Sequence, residues 1–183
     1  TVWSFSDRGS WATHSGDYRG NWSPYVPRNL ILRYSKPGDW ILDQFIGSGT
    51  TLVEAKLLNR NAVGVDINPQ SVSISETNLN FQCDTTSKIF IRQGNAINLS
   101  FIKDESIDFI CTHPPYANAI KYSKGIDGDI SLLTTDTFIK EMNKVALESY
   151  RVLKKGKICA AMIGDMRKHG KVIPLGFQVM ECF

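Results

Sequence analysis

The chain has 183 residues, 42% of them hydrophobic, and a formal charge of +3. This suits one domain with a real core, and the mild positive charge permits a nucleic-acid partner without demanding one. No apolar run is long enough to span a membrane, and the polar, aromatic start shows no signal peptide, so a cytoplasmic protein is expected.

Residues 1–22 are rich in Ser, Gly, Asp, Arg and Trp without a period and read as an irregular arm before a single catalytic domain over 23–183. "SPYVPRNLILRYS" has early prolines, which a first helical turn accepts, then an apolar stripe of Leu30, Ile31 and Tyr34. "KPGD" is a turn. "WILDQF" is a strand, and "GSGTTLVEAKLLNR" a glycine turn feeding a helix. "AVGVD" is a second strand, and "NPQSVSISETNLNF" a helix with Asn68 or Asp66 near its cap. "KIFIRQ" and "IDFICT" are the third and fourth strands. "DTFIKEMNKVALESYRVL" is a long amphipathic helix with Phe138, Met142, Val145 and Val152 on or near one face. "KKGK" reads as a turn, "ICAAMIG" as a fifth strand, "GDMRKHGK" as a loop, and "IPLGFQVMECF" as the start of a last helix. The chain begins without Met and stops inside that helix, so a part of something longer is expected, cut before the final β-hairpin of the sheet.

Strands alternate with helices and are almost wholly apolar. That pattern predicts an α/β fold with a doubly wound, mainly parallel sheet covered on both faces. Ligands of such sheets bind beyond the carboxyl ends of the strands. Here those ends carry Asp43-Gln44-Phe45, Asp66, Gly94-Asn95, Thr112-His113 and Gly164-Asp165. Polar groups at the end of five apolar strands point to a site more strongly than any one motif. The four cysteines form no CxxC pair and read as reduced core residues. The three histidines are scattered, without metal-ligand spacing, so no metal is expected.

Gly47 and Gly49 form a turn where a ligand can approach the backbone. The dinucleotide fingerprint wants a third glycine where Leu52 stands, which disfavours a nicotinamide or flavin enzyme. No Gly-Lys-Ser/Thr follows, which excludes a P-loop. Asp66 ends the second strand roughly 20 residues on, the spacing at which an acid meets ribose hydroxyls; its other reading is a cap on the next helix. A carboxylate accepts from a vicinal diol and repels a 2'-phosphate, so adenosine compounds fit.

"LDQFIGSGTTLVEA", with "AVGVDINP" after it, resembles the cofactor half of S-adenosylmethionine-dependent methyltransferases. More narrowly it is similar to the DNA methyltransferases that modify adenine N6 or cytosine N4. Their first motif, Asp-Pro-Phe-x-Gly-x-Gly-Thr-Thr, is matched by Asp43, Phe45, Gly47, Gly49, Thr50 and Thr51, with Gln44 in place of the proline. Their catalytic motif, Asp, Asn or Ser followed by Pro-Pro-Tyr, is matched by Pro114, Pro115 and Tyr116 with His113 before them. The resemblance runs from about Ser23 to the end. It implies a class I, Rossmann-like methyltransferase fold and S-adenosylmethionine as cofactor. It also implies that Gly47 and Gly49 border the methionine part, Asp66 holds the ribose and Ile67 packs on adenine. Asn95, with Ala96 beside it, takes the place that bonds the adenine amino group. Ser23 and Pro24 fall in the segment that contacts the methionine end.

The resemblance also assigns the chemistry. An exocyclic amino group is a poor nucleophile, and acceptors around it localise its lone pair as the transition state forms. The target base leaves its stack first. The prolines pin the carbonyl of Pro114 as one acceptor, and Tyr116 offers a ring for the extruded base, with stacking worth ~1–3 kcal/mol. The second acceptor is His113, which accepts only when neutral. Lys121 and Lys124 face phosphates or a solvated loop; so do Arg167, Lys168, His169 and Lys171. The arm's Trp3, Trp11 and Trp22 line a pocket or simply pack.

Three functions compete: a DNA amino-methyltransferase, an RNA base methyltransferase, and a binding module without catalysis. "GSGTT" favours DNA, and the intact Pro-Pro-Tyr favours an enzyme. No target-recognition domain is visible. A specificity subunit or a cognate restriction enzyme is implied as partner by resemblance alone.

Overall fold

The apolar segments pair into one five-stranded parallel sheet in a computed structural model that describes residues 2–168 and 170–183. The strands are β1 (Trp40–Asp43), β2 (Asn61–Asp66), β3 (Ile89–Gln93), β4 (Ile107–Thr112) and β5 (Leu153–Ala161). Their spatial order is β3-β2-β1-β4-β5. Connections therefore run outward in both directions from β1, and the order reverses between β1 and β4. That reversal is the doubly wound switch point.

Alternation along β1 sorts the core. Ile41 joins Trp22, Ile31, Leu52 and Phe109 on one face. Leu42 joins Val65, Ile110 and Val152 on the other. The first face is covered by α1 (Tyr25–Tyr34), α2 (Thr50–Leu57) and α3 (Pro69–Leu79). The second is covered by α4 (Thr135–Val152), whose Phe138, Met142, Val145 and Val152 are all buried as the periodicity predicts. Asn68, rather than Asp66, caps α3, its Oδ1 accepting from Gln70 N at 3.0 Å. No helix among the described residues is long and apolar enough to cross a membrane.

Two expectations from the sequence need correction. "KKGK" does not end an element, because β5 runs through it as a bulge. Ile107 pairs with Leu153 and Phe109 with Ile158, so one residue on β4 faces four on β5. Gly156 at φ 73° allows the excursion. Lys154 and Lys157 close it by meeting the same Asp108 Oδ1, at 2.8 and 3.3 Å. "GDMRKHGK" is not a loop but a short antiparallel ribbon, β6 (Met166–Lys168) and β7 (Lys171–Ile173). Its periodicity is too short to read from sequence. His169 lies outside the described residues. A final helix, α5, spans Leu175–Met180.

Candidate active site

A cleft opens at the carboxyl ends of β1, β2 and β4, at the switch point. Its floor is the turn after β1. Gly47 and Gly49 have φ of 51° and 83°, the left-handed region where a side chain is strained. At Gly49 a Cβ would also sit 3.1 Å from Ser75 Cβ, so α3 packs tightly behind the turn. Beneath it, the buried Asp43 carboxylate accepts from Thr51 Oγ1 (2.6 Å), Thr112 Oγ1 (2.8 Å) and Phe45 N (3.1 Å). Burial pushes this carboxyl up and those three bonds pull it down. Asp43 thus ties β1, β4 and α2 together under the site. Gln44 does similar work: its backbone N–H donates to Thr112 Oγ1, and its side-chain amide donates to Ser149 of α4 at 3.0 Å. A proline at position 44 could make neither bond.

Asp66 stands at the cleft wall. Its carboxylate accepts from Gly47 N (3.0 Å) and Asn68 N (2.9 Å), which leaves acceptor capacity unused. Burial raises this carboxyl to about 6, against the lowering effect of the two backbone bonds. Across the cleft lies a second acid, Asp129, held by Ser123 Oγ and Ser131 N. Among the described residues no Lys or Arg lines the cleft, and its charged side chains are these two carboxylates. Asn95 and Ile67 meet the loop at Gly128, where a Cβ would lie 2.6 Å from Asn95 Nδ2 and 3.2 Å from Ile67 Cδ1. Asn95 Oδ1 accepts from Ile97 N at 3.2 Å and keeps one lone pair free.

The loop after β4 forms the far wall. His113 and Pro115 line the cleft, and Pro114 is buried behind them. Ala117, directly after Tyr116, is held at φ 35°, a strained setting for a residue with a Cβ. His113 Nε2 lies 3.2 Å from Tyr116 Oη, and the two rings meet edge-on at 5.6 Å. The other side of the imidazole stacks on the Trp22 indole, with centroids 5.4 Å apart at 25°. Burial lowers His113 to about 4, so the ring is neutral at ordinary pH. The Tyr116 ring lies outside the cleft, facing Gly164 beyond β5.

The arm closes the remaining side. Residues 2–22 hold no helix or strand, yet Tyr18, Asn21 and Trp22 line the cleft. Asn21 Nδ2 donates to Ser48 Oγ (3.2 Å), and the Tyr18 hydroxyl meets Ser71 Oγ (2.9 Å). The anchor is Glu54 of α2, fully buried. Its Oε1 accepts from Trp11 Nε1 (2.6 Å) and contacts His14 Nε2 (2.7 Å), while Oε2 accepts from Arg28 Nη1 (2.9 Å).

Comparison with known proteins finds methyltransferases in both sequence and fold. Residues 1–77 match the N6_N4_Mtase family model, described as DNA methylase. Type II methyltransferase M.MjaII of Methanocaldococcus jannaschii is 29% identical over 143 residues, 77% of this chain and 23% of that protein. Over these segments the chain is similar to DNA methyltransferases. A tRNA (guanine(10)-N2)-dimethyltransferase of Methanothermobacter thermautotrophicus is 36% identical over 100 residues, 54% of this chain and 29% of that protein. Among solved structures, a SAM-dependent methyltransferase of Methanosarcina mazei superimposes with a TM-score of 0.55 at 25% identity, covering 72% of this chain and 55% of that one. TrmN from Thermus thermophilus shares the fold with a TM-score of 0.60 at 17% identity, over 85% of this chain and 48% of that one. The chain spans less than a third of the length of the curated relatives it matches.

The cleft gathers Phe45, Gly47, Thr50, Asp66, Ile67, Asn95, Ala96, His113 and Pro115 from the sequence expectation. Asp43 and Thr51 lie beneath it as braces. Ser23 and Pro24 are not brought to it: the Ser23 hydroxyl donates to Arg8 O at 2.7 Å, and Pro24 packs toward Gly9. Lys121, Arg167 and Lys168 are exposed, away from the lining. Sequence reasoning missed Tyr18, Tyr122 and Asp129. Their only signal was aromatic and acidic residues in segments without a period. The lining fits S-adenosylmethionine. Its two acids suit a ligand bearing a sulfonium and an ammonium, and its described lining has no cation for a phosphate.

Proposed function

We propose that this chain carries the site at which a methyl group passes from S-adenosylmethionine to an exocyclic amino group of a DNA base, cytosine N4 or adenine N6. The observation that supports this reading most directly is that two loops share one cleft. His113 and Pro115 line the same cavity as Gly47 and Asp66, so a base amino group against the first pair meets a cofactor held by the second.

When bound, S-adenosylmethionine supplies a methyl group on a positively charged sulfur. The chain's own residues bind and orient. Asp66 accepts from the ribose hydroxyls, and Ile67 and Asn95 take the adenine. Pro114 offers its carbonyl to the substrate amino group. The neutral His113 gives one ring nitrogen as acceptor; with Nε2–H donating to Tyr116 Oη, that nitrogen is Nδ1. A ring lowered to about 4 is a weak base. His113 therefore works as a hydrogen-bond acceptor that localises the amino lone pair, not as the final proton acceptor. The Tyr116 hydroxyl, 3.2 Å from His113 Nε2, orients the imidazole from outside the cleft. Residues 23–183 act as the catalytic domain, with residues 1–22 as its arm. Sequence specificity comes from a further segment or a specificity subunit, and a cognate restriction enzyme is the partner that the motif resemblance implies.

A second reading, an RNA base as substrate, is favoured by the similarity to the tRNA methyltransferase. One experiment separates the two. The protein is expressed in a host without DNA methylation, and total DNA and RNA are digested to nucleosides for mass spectrometry. N4-methylcytosine or N6-methyladenine in DNA, lost in His113→Ala, is the expected result. A new methylated nucleoside in RNA alone overturns the DNA reading in favour of the second.

A further inference from the structure

We propose that the β6–β7 ribbon grips the phosphate backbone of the nucleic acid whose base enters the cleft; this rests on the methyltransferase reading above. The ribbon is rooted in the core beside the catalytic loop. Met166 and Ile173 pair at its base and pack into the cluster that holds Ala117 and, at its edge, Tyr116. Gly164, just before the ribbon, lies against the Tyr116 ring, where an added Cβ would be 3.6 Å away. The root of the ribbon is thus packed against the loop that carries His113 and Pro115.

Side chains alternate across a strand. The Arg167–Val172 pair turns to one face of the ribbon. The next pair, Lys168 opposite Lys171, returns to the face that carries Met166 and Ile173, ~7 Å further out. Arg167, Lys168 and Lys171 are all exposed. Like charges directly opposite on a ladder destabilise it, and a two-stranded ribbon has little stability to spare. No ion pair among the described residues includes any of the three, so none relieves this repulsion. The adjacent acid, Asp165, is turned to α5 and accepts from Gly176 N at 3.1 Å. An anion between the two lysines turns the repulsion into attraction.

The charge pattern names the anion. The charged groups that line the cleft are acids and repel phosphate, while Arg167, Lys168 and Lys171 on the ribbon are exposed cations. A neutral base is admitted, and its charged backbone is held outside. Such contacts position the strand without reading its sequence, which suits a ribbon attached to the catalytic loop.

The test uses the full chain and a variant carrying Arg167→Gln, Lys168→Gln and Lys171→Gln. Binding of a fluorescein-labelled DNA duplex of mixed sequence, and of an RNA duplex of the same sequence, is followed by anisotropy over a salt series. S-adenosylmethionine binding is measured in parallel by calorimetry. The expected variant binds every DNA sequence more weakly. Its slope of log affinity against log salt is shallower by roughly 0.9 for each phosphate no longer neutralised, and its cofactor affinity is unchanged. An unchanged slope and affinity on nucleic acids that the parent binds overturns the ribbon's role and leaves the methyltransferase reading standing. A parent that binds neither duplex overturns the ribbon's role, while methylated nucleosides from the expression experiment judge the reading separately. The same change in slope seen only with RNA supports the ribbon and replaces DNA as its partner.

Discussion

Replacing Glu54 by Gln tests the anchor of the arm. Glu54 is fully buried on α2, and its two oxygens serve three donors from the arm and α1. Gln can keep its carbonyl oxygen toward Trp11 and His14. Its amide then faces the Arg28 guanidinium, donor against donor. One charge-assisted bond is lost, worth about 2 kcal/mol. Arg28 is 37% exposed and can turn to water, which keeps the cost near that figure. Glu54→Ala leaves all three donors orphaned and opens a cavity, which raises the cost to about 3–5 kcal/mol. In urea unfolding with a slope of ~2 kcal/mol per molar, Glu54→Gln moves the midpoint down by about 1 M. Limited trypsin digestion gives a second readout: Arg8 and Arg19 become more readily cleaved as the arm loosens. An unchanged midpoint together with unchanged cleavage would refute the reasoning, because it would mean that the arm is held by something other than this carboxylate.

Three further outcomes follow from the same geometry. Asp66 has a folded value raised to about 6, so its contribution to stability is present at low pH and lost as pH rises through that value. Cofactor binding runs the other way, because the ribose needs the carboxylate. Calorimetric S-adenosylmethionine affinity should fall as pH drops through about 6, and a flat affinity well below it counts against Asp66. His113 is held neutral down to about 4; at saturating cofactor, kcat should show no imidazole titration near 6.5, and His113→Ala should lower kcat by roughly a hundredfold with no change in cofactor affinity. Gly49→Ala meets both a φ of 83° and Ser75 at 3.1 Å, so it should cost about 1–2 kcal/mol from the backbone alone, read as a lower urea midpoint.

The fold was legible wherever a pattern repeats along the chain. The buried face of α4 and the apolar strands follow from period and composition, and the glycine turn and Pro-Pro-Tyr follow from motif. What stayed hidden depends on contacts between distant residues. Glu54 looks like one polar residue inside a helical motif, because its partners lie 26, 40 and 43 positions away. The arm was legible as irregular but not as a wall of the cleft, since its order comes from side-chain bonds to α2 and α3 rather than from its own backbone. The motif resemblance points to Ser23 and Pro24, whereas the residues of this segment that line the cleft are Tyr18, Asn21 and Trp22. The ribbon escaped notice because three residues per strand are too few to show a period.

The stack of Trp22 on His113 bears on how this site could have arisen. The indole is buried, and one of its faces is covered by the imidazole. A carboxylate at position 113 would strip that face and set a charge beside it. The histidine that precedes Pro-Pro-Tyr is therefore packed as one unit with the tryptophan at position 22. Coupling of contacting residues makes the two positions epistatic.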